Sequence, residues 1–434
     1  MANNLDNSTF KEYYSSRMQV THHKVDVFRA ICNFEEQKNL KDGDTVNRPY
    51  RSKMVGQAYT RGTAFTVRDI SKTNEQLTVT TAKCIPFYVD DLDELQSQHS
   101  EMNNFADDSV IVLANMIDGD VLGEYDQATY SVTEADLTSG AAATTGITLT
   151  TSNVQKLFSK AKMKLSRANV INPAGTPKVP EGAMRGKQQA FAVISPDVEA
   201  VLMEYLAGKE SVLGDTTSLS GHRGQYYGFD LYISNSLGWS GVLSMAAQPT
   251  DADTVTIYNL GGTVTFTFKT TIGSTAGNVL IGGSADAARA NLVALINAGG
   301  VTSDSGTSNV SLSSTVDSTG FSDRDRMVGI TAVNSNSADT MTIKAEGVGF
   351  LIVGETFTDA TDTWTAVKQI QHCLFGIKGA IEVVIQSEPK VEVKDVPDKI
   401  GKNVVPWTLY GLKTFTEGKA MLVDVKVRTD AYAA

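Results

Sequence analysis

The sequence predicts an α+β chain with a second, smaller α+β module set into it, and three observations carry this reading. Helical and strand patterns both occur, with a helix–strand–helix series in the middle and strand after strand at the end. Composition changes abruptly near residue 250 and changes back near 365. The 434 residues suffice for about two or three domains at roughly 150 residues each.

Residues 1–45 carry a short amphipathic helix, roughly Thr9 to Val20, and then the turn-rich NLKDGDTVN, so they are expected to form an arm. Residues 46–86 hold GTAFTVRDI and QLTVTTAKCI, both rich in Thr, Val, Ile and Phe, with the polar SKTNE between them. That pattern predicts a β-hairpin. Arg61, Arg68, Asp69, Lys72, Glu75 and Lys83 leave the hairpin little apolar area, and two strands alone are marginal in water. It is expected to lean on a surface outside its own domain.

Residues 87–150 open on a long predicted helix, Asp90 to Ile117. Asp90, Asp91, Asp93 and Glu94 crowd its start, where a helix N-terminus favours negative charge. Leu95, Met102, Phe105, Ala106, Val110, Leu113 and Ile117 then recur at spacings of three, four and seven, which makes one apolar stripe. Gly119 and Gly123 are expected to end the helix.

Residues 151–249 begin with TSNVQKLFSKAKMKLSRANV, where Ser152 and Gln155 suggest a capping box and Val154, Leu157, Phe158, Ala161 and Leu165 share a face. QAFAVISPDVEAVLMEYLAG reads as a buried strand running into a helix, with Ser195 as N-cap, Pro196 first in the helix and Gly208 after its end. GFDLYISNSL is a further strand. Residues 250–365 lack Pro and Cys and carry 5 basic against 12 acidic residues, a net charge of -7. Within them DTVTIYNLGGTVTFTF alternates like a hairpin, SADAARANLVALINAGG reads as a capped helix, and VTSDSGTSNVSLSSTVDSTG as a low-complexity loop. In residues 366–434, IEVVIQ, KVEVKDV and AMLVDVKV alternate as strands.

The chemistry classes narrow quickly. A net charge of -11 argues against a generic duplex-DNA clasp. Cys32, Cys84 and Cys373 are few, odd in number and far apart, so they give neither a disulfide framework nor a zinc ribbon. The N-terminal residues carry charge and no apolar run, so no signal peptide is expected, and no stretch of about 18 apolar residues suggests a membrane helix. Synthesis in a cytosol is the corresponding expectation. His22, His23, His99, His222 and His372 lie in no nucleophile motif, and no G-x-S-x-G elbow occurs. GLKTFTEGKA misses the phosphate-loop spacing between Gly411 and Gly418 and has Ala420 where Ser or Thr binds magnesium, so a strand turn is expected. THHK reads as a solvated surface pair, and SDRDRM, Ser322 to Met327, as an exposed loop or a contact between subunits. No catalytic residue, cofactor or metal is expected.

The order of these elements resembles the major capsid proteins of tailed phages, with the Hong Kong 97-type fold. GFDLYISNSL, and after the insertion CLFGIKGAIEVVIQSEPKVEVKDV and LYGLKTFTEGKAMLVDVKV, carry the likeness over residues 1 to about 245 and 366–434. The resemblance implies an N-terminal arm (1–45), an extended loop (46–86, centred on Gly56 to Ile85), a spine helix with the peripheral domain (87–150), an axial domain (151–249), an inserted domain (250–365) and a completion of the axial and peripheral domains (366–434). Val154 to Leu237 with Cys373 to Ile385 would form most of the axial domain. The inserted domain would lie on the outer surface as a decoration or contact module.

The function so implied is self-assembly through hexamers and pentamers into an icosahedral shell that encloses double-stranded DNA. Partners would be identical subunits, a portal, scaffolding or decoration proteins, and packaged DNA by non-specific proximity. The location would be the virion capsid, after synthesis in the host bacterial cytoplasm. Arg61, Arg68, Lys72 and Glu75 are the expected intersubunit contacts. Lys72 and Asn403 are types that some relatives crosslink, but no spacing identifies them and that activity is not carried over. A tail or fibre structural or adhesin subunit is the alternative.

Overall fold

The computed structural model describes residues 24, 26–38, 40, 43–51, 54–67, 69–70, 72–96, 101–138, 141, 146–170, 190–207, 224–302, 308–348, 351–364, 369–396 and 400–429, without side chains at 93, 94, 96 and 101–104. The expected helix Thr9–Val20, the His22–His23 pair, Arg68 and Gly208 lie outside the described residues.

The fold is α+β and is organised by one ten-stranded sheet whose middle strand is Ile370–Ile377, buried along its whole length. Its sequence, IQHCLFGI, has no exposed side to make polar, which is how a strand covered on both faces reads. One path across the sheet runs Ile330–Ser335, Thr340–Ala345, Gly238–Ser244, Ile370–Ile377, Ala190–Ile194, Phe229–Ile233, Gln225–Tyr226. Leu422–Arg428 also pairs with the middle strand, and Tyr130–Val132 with Leu422–Arg428. On one face Phe375 meets Phe158 and Phe229, ring centroids 5.2 and 5.5 Å apart. On the other His372 stacks on Tyr125 at 3.8 Å.

The helix Val154–Arg167 buries Val154, Leu157, Phe158, Ala161 and Leu165, the face that its spacing predicts. Its start differs. Asn153 is the N-cap without a side-chain cap bond, Ser152 bonds Thr150, and Gln155 accepts a bond from Tyr205 of the helix Pro196–Ala207, so the predicted capping box is not formed. Ser195 does cap that second helix, accepting from Val198 N at 3.3 Å.

Among the described residues the long helix occupies Asp91–Gln96 and Glu101–Gly123, and it runs through Gly119 rather than ending there. The reason is packing. A Cβ at Gly119 would stand 2.7 Å from Gly347 Cα, so the missing side chain admits a backbone from the far module.

The predicted hairpin has a different partner. Thr45–Arg51 pairs antiparallel with Lys72–Thr78, residues 54–67 contain no strand, and Thr81–Cys84 pairs instead with Trp407–Tyr410. The segment read as a turn is a strand because Leu77 enters a small core with Leu40, Val79, Val384 and Phe415. A second sheet is built on the long hairpin Glu382–Asp395 and Gly401–Lys413, with Thr81–Cys84 and Phe87–Asp90 against the latter. GLKTFTEGKA holds the end of Gly401–Lys413 and a helical turn, Thr416–Lys419, in place of the expected strand turn.

Two large cores exist. The first unites the residues around Phe158 and Phe375, and the second runs from Trp239 to Trp364. A four-stranded sheet, Thr254–Asn259, Gly262–Lys269, Asn278–Leu280 and Ile352–Glu355, and the helix Ala285–Asn297 form most of the second. This core takes Trp239, Leu243 and Met245 from before residue 250. Its strands Ile330–Ser335 and Thr340–Ala345 also extend the ten-stranded sheet, so the two cores share a backbone ladder. The edge strand Ile330–Ser335 is covered by Asn297, whose side chain donates to Ala332 O at 2.9 Å and accepts from Ala332 N at 2.7 Å.

SDRDRM is not an exposed loop throughout, since Ser322, Arg326 and Met327 are buried. Arg326 is 2% exposed and pairs with Asp317 at 2.6 Å and Asp323 at 3.3 Å, while its carbonyl accepts from Asn259. The guanidinium lies against Gly262, where no side chain would fit.

Candidate intersubunit surfaces

The Thr45–Arg51 and Lys72–Thr78 ribbon is tied to the body at its base. At the base, Arg48 bonds Glu382 at 2.9 Å and covers the Phe415 ring at 5.1 Å. Glu382 also accepts from Asn33. Glu75 accepts from Thr416 N at 3.0 Å and from the Thr416 hydroxyl. Partial burial pushes the Glu75 carboxyl up, but the Thr416 bonds, Lys413 and Lys419 outweigh it and hold it below the usual range.

Of the four predicted contact residues, the structure therefore separates Glu75, which bonds within its own chain, from Arg61 and Lys72, which are exposed. Beyond the base, Met54, Val55, Tyr59, Phe65, Val67 and Ile70 are each more than 60% exposed. This apolar tip is the feature that charge counting missed. The signal was present in the alternation of AFTVRDI, but it was assigned to strand pairing.

A second surface lies at the first half of the long helix. Of the predicted stripe, Leu113 and Ile117 are buried with Val121 and Leu122, whereas Phe105 is 48% exposed and Leu95 is 83% exposed. Ile85, Phe87, Tyr88, Val89, Asp90, Phe105 and Ser109 line an open groove of about 390 Å³ there. The Phe87 and Phe105 rings meet edge to face at 6.2 Å.

The second half of the helix holds the start of the described chain. Asp118 accepts from Val27 N at 2.8 Å and Phe28 N at 2.9 Å. Burial pushes its carboxyl up to about 6, against the pull of those bonds. Lys24 donates to Gly347 O at 2.5 Å, so the arm, the helix and the second core meet at one junction. Lys344 pairs with Asp126 beside it.

One buried line has the chemistry of a hydrolase and not its surroundings. Ser240 Oγ stands 2.8 Å from His372 Nε2, and His372 Nδ1 is 2.9 Å from Asp424. Sequence reasoning missed the trio because its members lie on three separate strands. Ser240 sits within a strand laddered on both sides, to Lys344 and to Ile370, so its backbone cannot form the sharp exposed turn that presents a nucleophile. The trio instead joins three strands of the sheet. Among the described residues no group of three or more His, Cys, Asp or Glu is arranged to hold a metal, and no helix is long and apolar enough to cross a membrane.

No protein-family model and no curated protein matches the sequence. Solved structures do. A structure of Mycobacterium phage Che8 is similar at 13% identity, with 97% of this chain and 98% of that chain covered and a TM-score of 0.54. The capsid of cyanophage P-SCSP1u is similar at 10% identity, covering 98% and 95%, TM-score 0.48. The asymmetric unit of the bacteriophage PhiM1 mature capsid follows at 11% identity, covering 97% and 92%, TM-score 0.47. The likeness to the Che8 structure spans nearly the whole of both chains and is one of fold: this chain shares the fold of that phage structure.

Proposed function

We propose that this chain is a major capsid protein, a structural rather than catalytic subunit that assembles through hexamers and pentamers into a shell around phage double-stranded DNA. The observation that carries the reading is the apolar side chains Met54, Val55, Tyr59, Phe65, Val67 and Ile70, exposed in the single chain beyond a ribbon that Arg48 and Glu75 tie to the body. Monomeric proteins rarely expose contiguous apolar surface on this scale without a partner. A neighbouring copy's groove at Phe87 and Phe105 offers apolar surface to receive it, and Arg61, Arg68 and Lys72 would supply the polar rim. Each contact is modest. Many of them around a closed shell add up because every further contact is effectively intramolecular.

The proposal extends to the parts. Residues 46–86 act as the extended loop, 87–150 as spine and peripheral domain, and 250–365 as an inserted domain on the outer surface. The subunits reside in the virion after synthesis in the host cytoplasm, with a portal, scaffolding or decoration proteins as further partners.

Electron microscopy of the expressed chain tests the reading. Closed shells, tubes or hexamers are expected. Soluble monomers or trimers at every concentration would reject it in favour of a tail or fibre subunit. Charge reversal at Arg61, Arg68 and Lys72 is expected to impair shell formation while leaving the circular dichroism of the subunit unchanged.

A further inference from the structure

We infer that the solvent face of the helix Val154–Arg167 is a contact surface for the phosphate backbone of duplex DNA; the inference rests on the shell reading above and names where the enclosed DNA is touched. The helix carries Lys156, Lys160, Lys162, Lys164 and Arg167 and no acidic residue, in a chain whose net charge is -11. That is a local inversion of sign.

Two of these cations are committed inside the chain. Lys162 donates to Tyr227 O at 3.0 Å, and Lys164 pairs with Asp136 at 2.6 Å. The ion pairs found among the described residues do not include Lys156, Lys160 or Arg167. These three are separated by four and seven residues, so at about 1.5 Å per residue and 3.6 residues per turn they form one stripe roughly 16 Å long.

The rest of that face decides between a protein and a polyanion. Ser159, Met163 and Ser166 fill it, and no aromatic residue stands in the helix outside buried Phe158. Protein interfaces have the opposite character, enriched in aromatics and depleted in Lys. Duplex DNA carries one negative charge per roughly 1.7 Å of axis, which suits a linear row of hydrated cations. Five acidic residues of the second core already have cation partners within the chain. Asp286 and Asp339 are already paired with Arg289, Asp317 and Asp323 with Arg326, and Asp251 with Lys269.

The test is a titration of a short duplex DNA with the full chain, kept below its assembly concentration, over a range of salt. The plot of log affinity against log salt is expected to become shallower by about 2.7 in K156Q/K160Q/R167Q, three phosphates at about 0.9 each. K156R/K160R/R167K is expected to keep the slope, which separates charge from folding. An unchanged slope in the glutamine variant would overturn the inference. So would a glutamine variant that keeps the slope yet fails to form shells in DNA-free buffer, an outcome that assigns the stripe to an acidic surface of a second copy. Shell formation by the wild-type chain is scored separately, so failure of the capsid reading would not be mistaken for failure of this one.

Discussion

The two halves of the helix Glu101–Gly123 obey one sequence pattern and meet different surroundings. From Leu113 onward the apolar residues are buried against the chain's own body, with Leu113, Ile117, Val121 and Leu122 at 1% exposure or less. Before it, Phe105 of the same stripe stands 48% exposed, and Ala106 and Val110 are half-buried. The apolar stripe outruns the chain's own core at this end.

The contrast is sharpest in large-to-small substitutions. Leu113→Ala removes a fully buried side chain and is expected to cost about 3 kcal/mol in denaturant unfolding of the unassembled chain. A loss below about 1 kcal/mol would mean that this half is not core either.

A second probe is pH. The Asp118 carboxyl is raised in the folded chain to about 6 from a usual value near 3.8. Because the folded state binds this proton more tightly, the contribution to stability is full below about pH 4 and is lost as pH rises through about 6. The loss is expected to be about 3 kcal/mol, and Asp118→Asn should flatten that part of the stability profile. A profile unchanged by the substitution would remove Asp118 from the arm junction.

The smallest expected effect sharpens the comparison from the other side. Phe105→Ala is expected to change the stability of the lone chain by less than about 1 kcal/mol while raising the concentration needed for assembly. A destabilisation equal to that of Leu113→Ala would erase the distinction between the halves.

The sequence showed most where an element carries its own pattern. The helix Val154–Arg167 was legible to the residue in its five buried positions, since a one-sided amphipathic helix states its face in its spacing. Ser195 and Pro196 marked the start of the next helix for a similarly local reason. What stayed hidden depends on partners far along the chain. Gly119 reads as a helix stop until Gly347 is brought against it. Lys72–Glu75 reads as a turn until Thr416 takes Glu75 and Lys72–Thr78 pairs with Thr45–Arg51. Arg326 reads as a surface charge until Asp317, Asp323 and Gly262 close around it.

The candidate site was half legible for the same reason. The charge at Arg61 and Lys72 could be read from composition, and both residues are exposed. The apolar tip could not, because Val, Phe and Ile in alternation mean a strand unless the partner strand is known to be elsewhere. The second core draws most of its residues from after residue 250, where composition changes, but Trp239 and Leu243 enter it through the pairing of Gly238–Ser244 with Thr340–Ala345.

Amide hydrogen exchange over residues 54–67, compared between unassembled chain and purified particles, tests the central claim most directly. Rapid exchange in the lone chain and strong protection in the particle are predicted, because the tip has no ladder of its own and acquires its cover from a neighbour. Equal protection in both states would contradict the account.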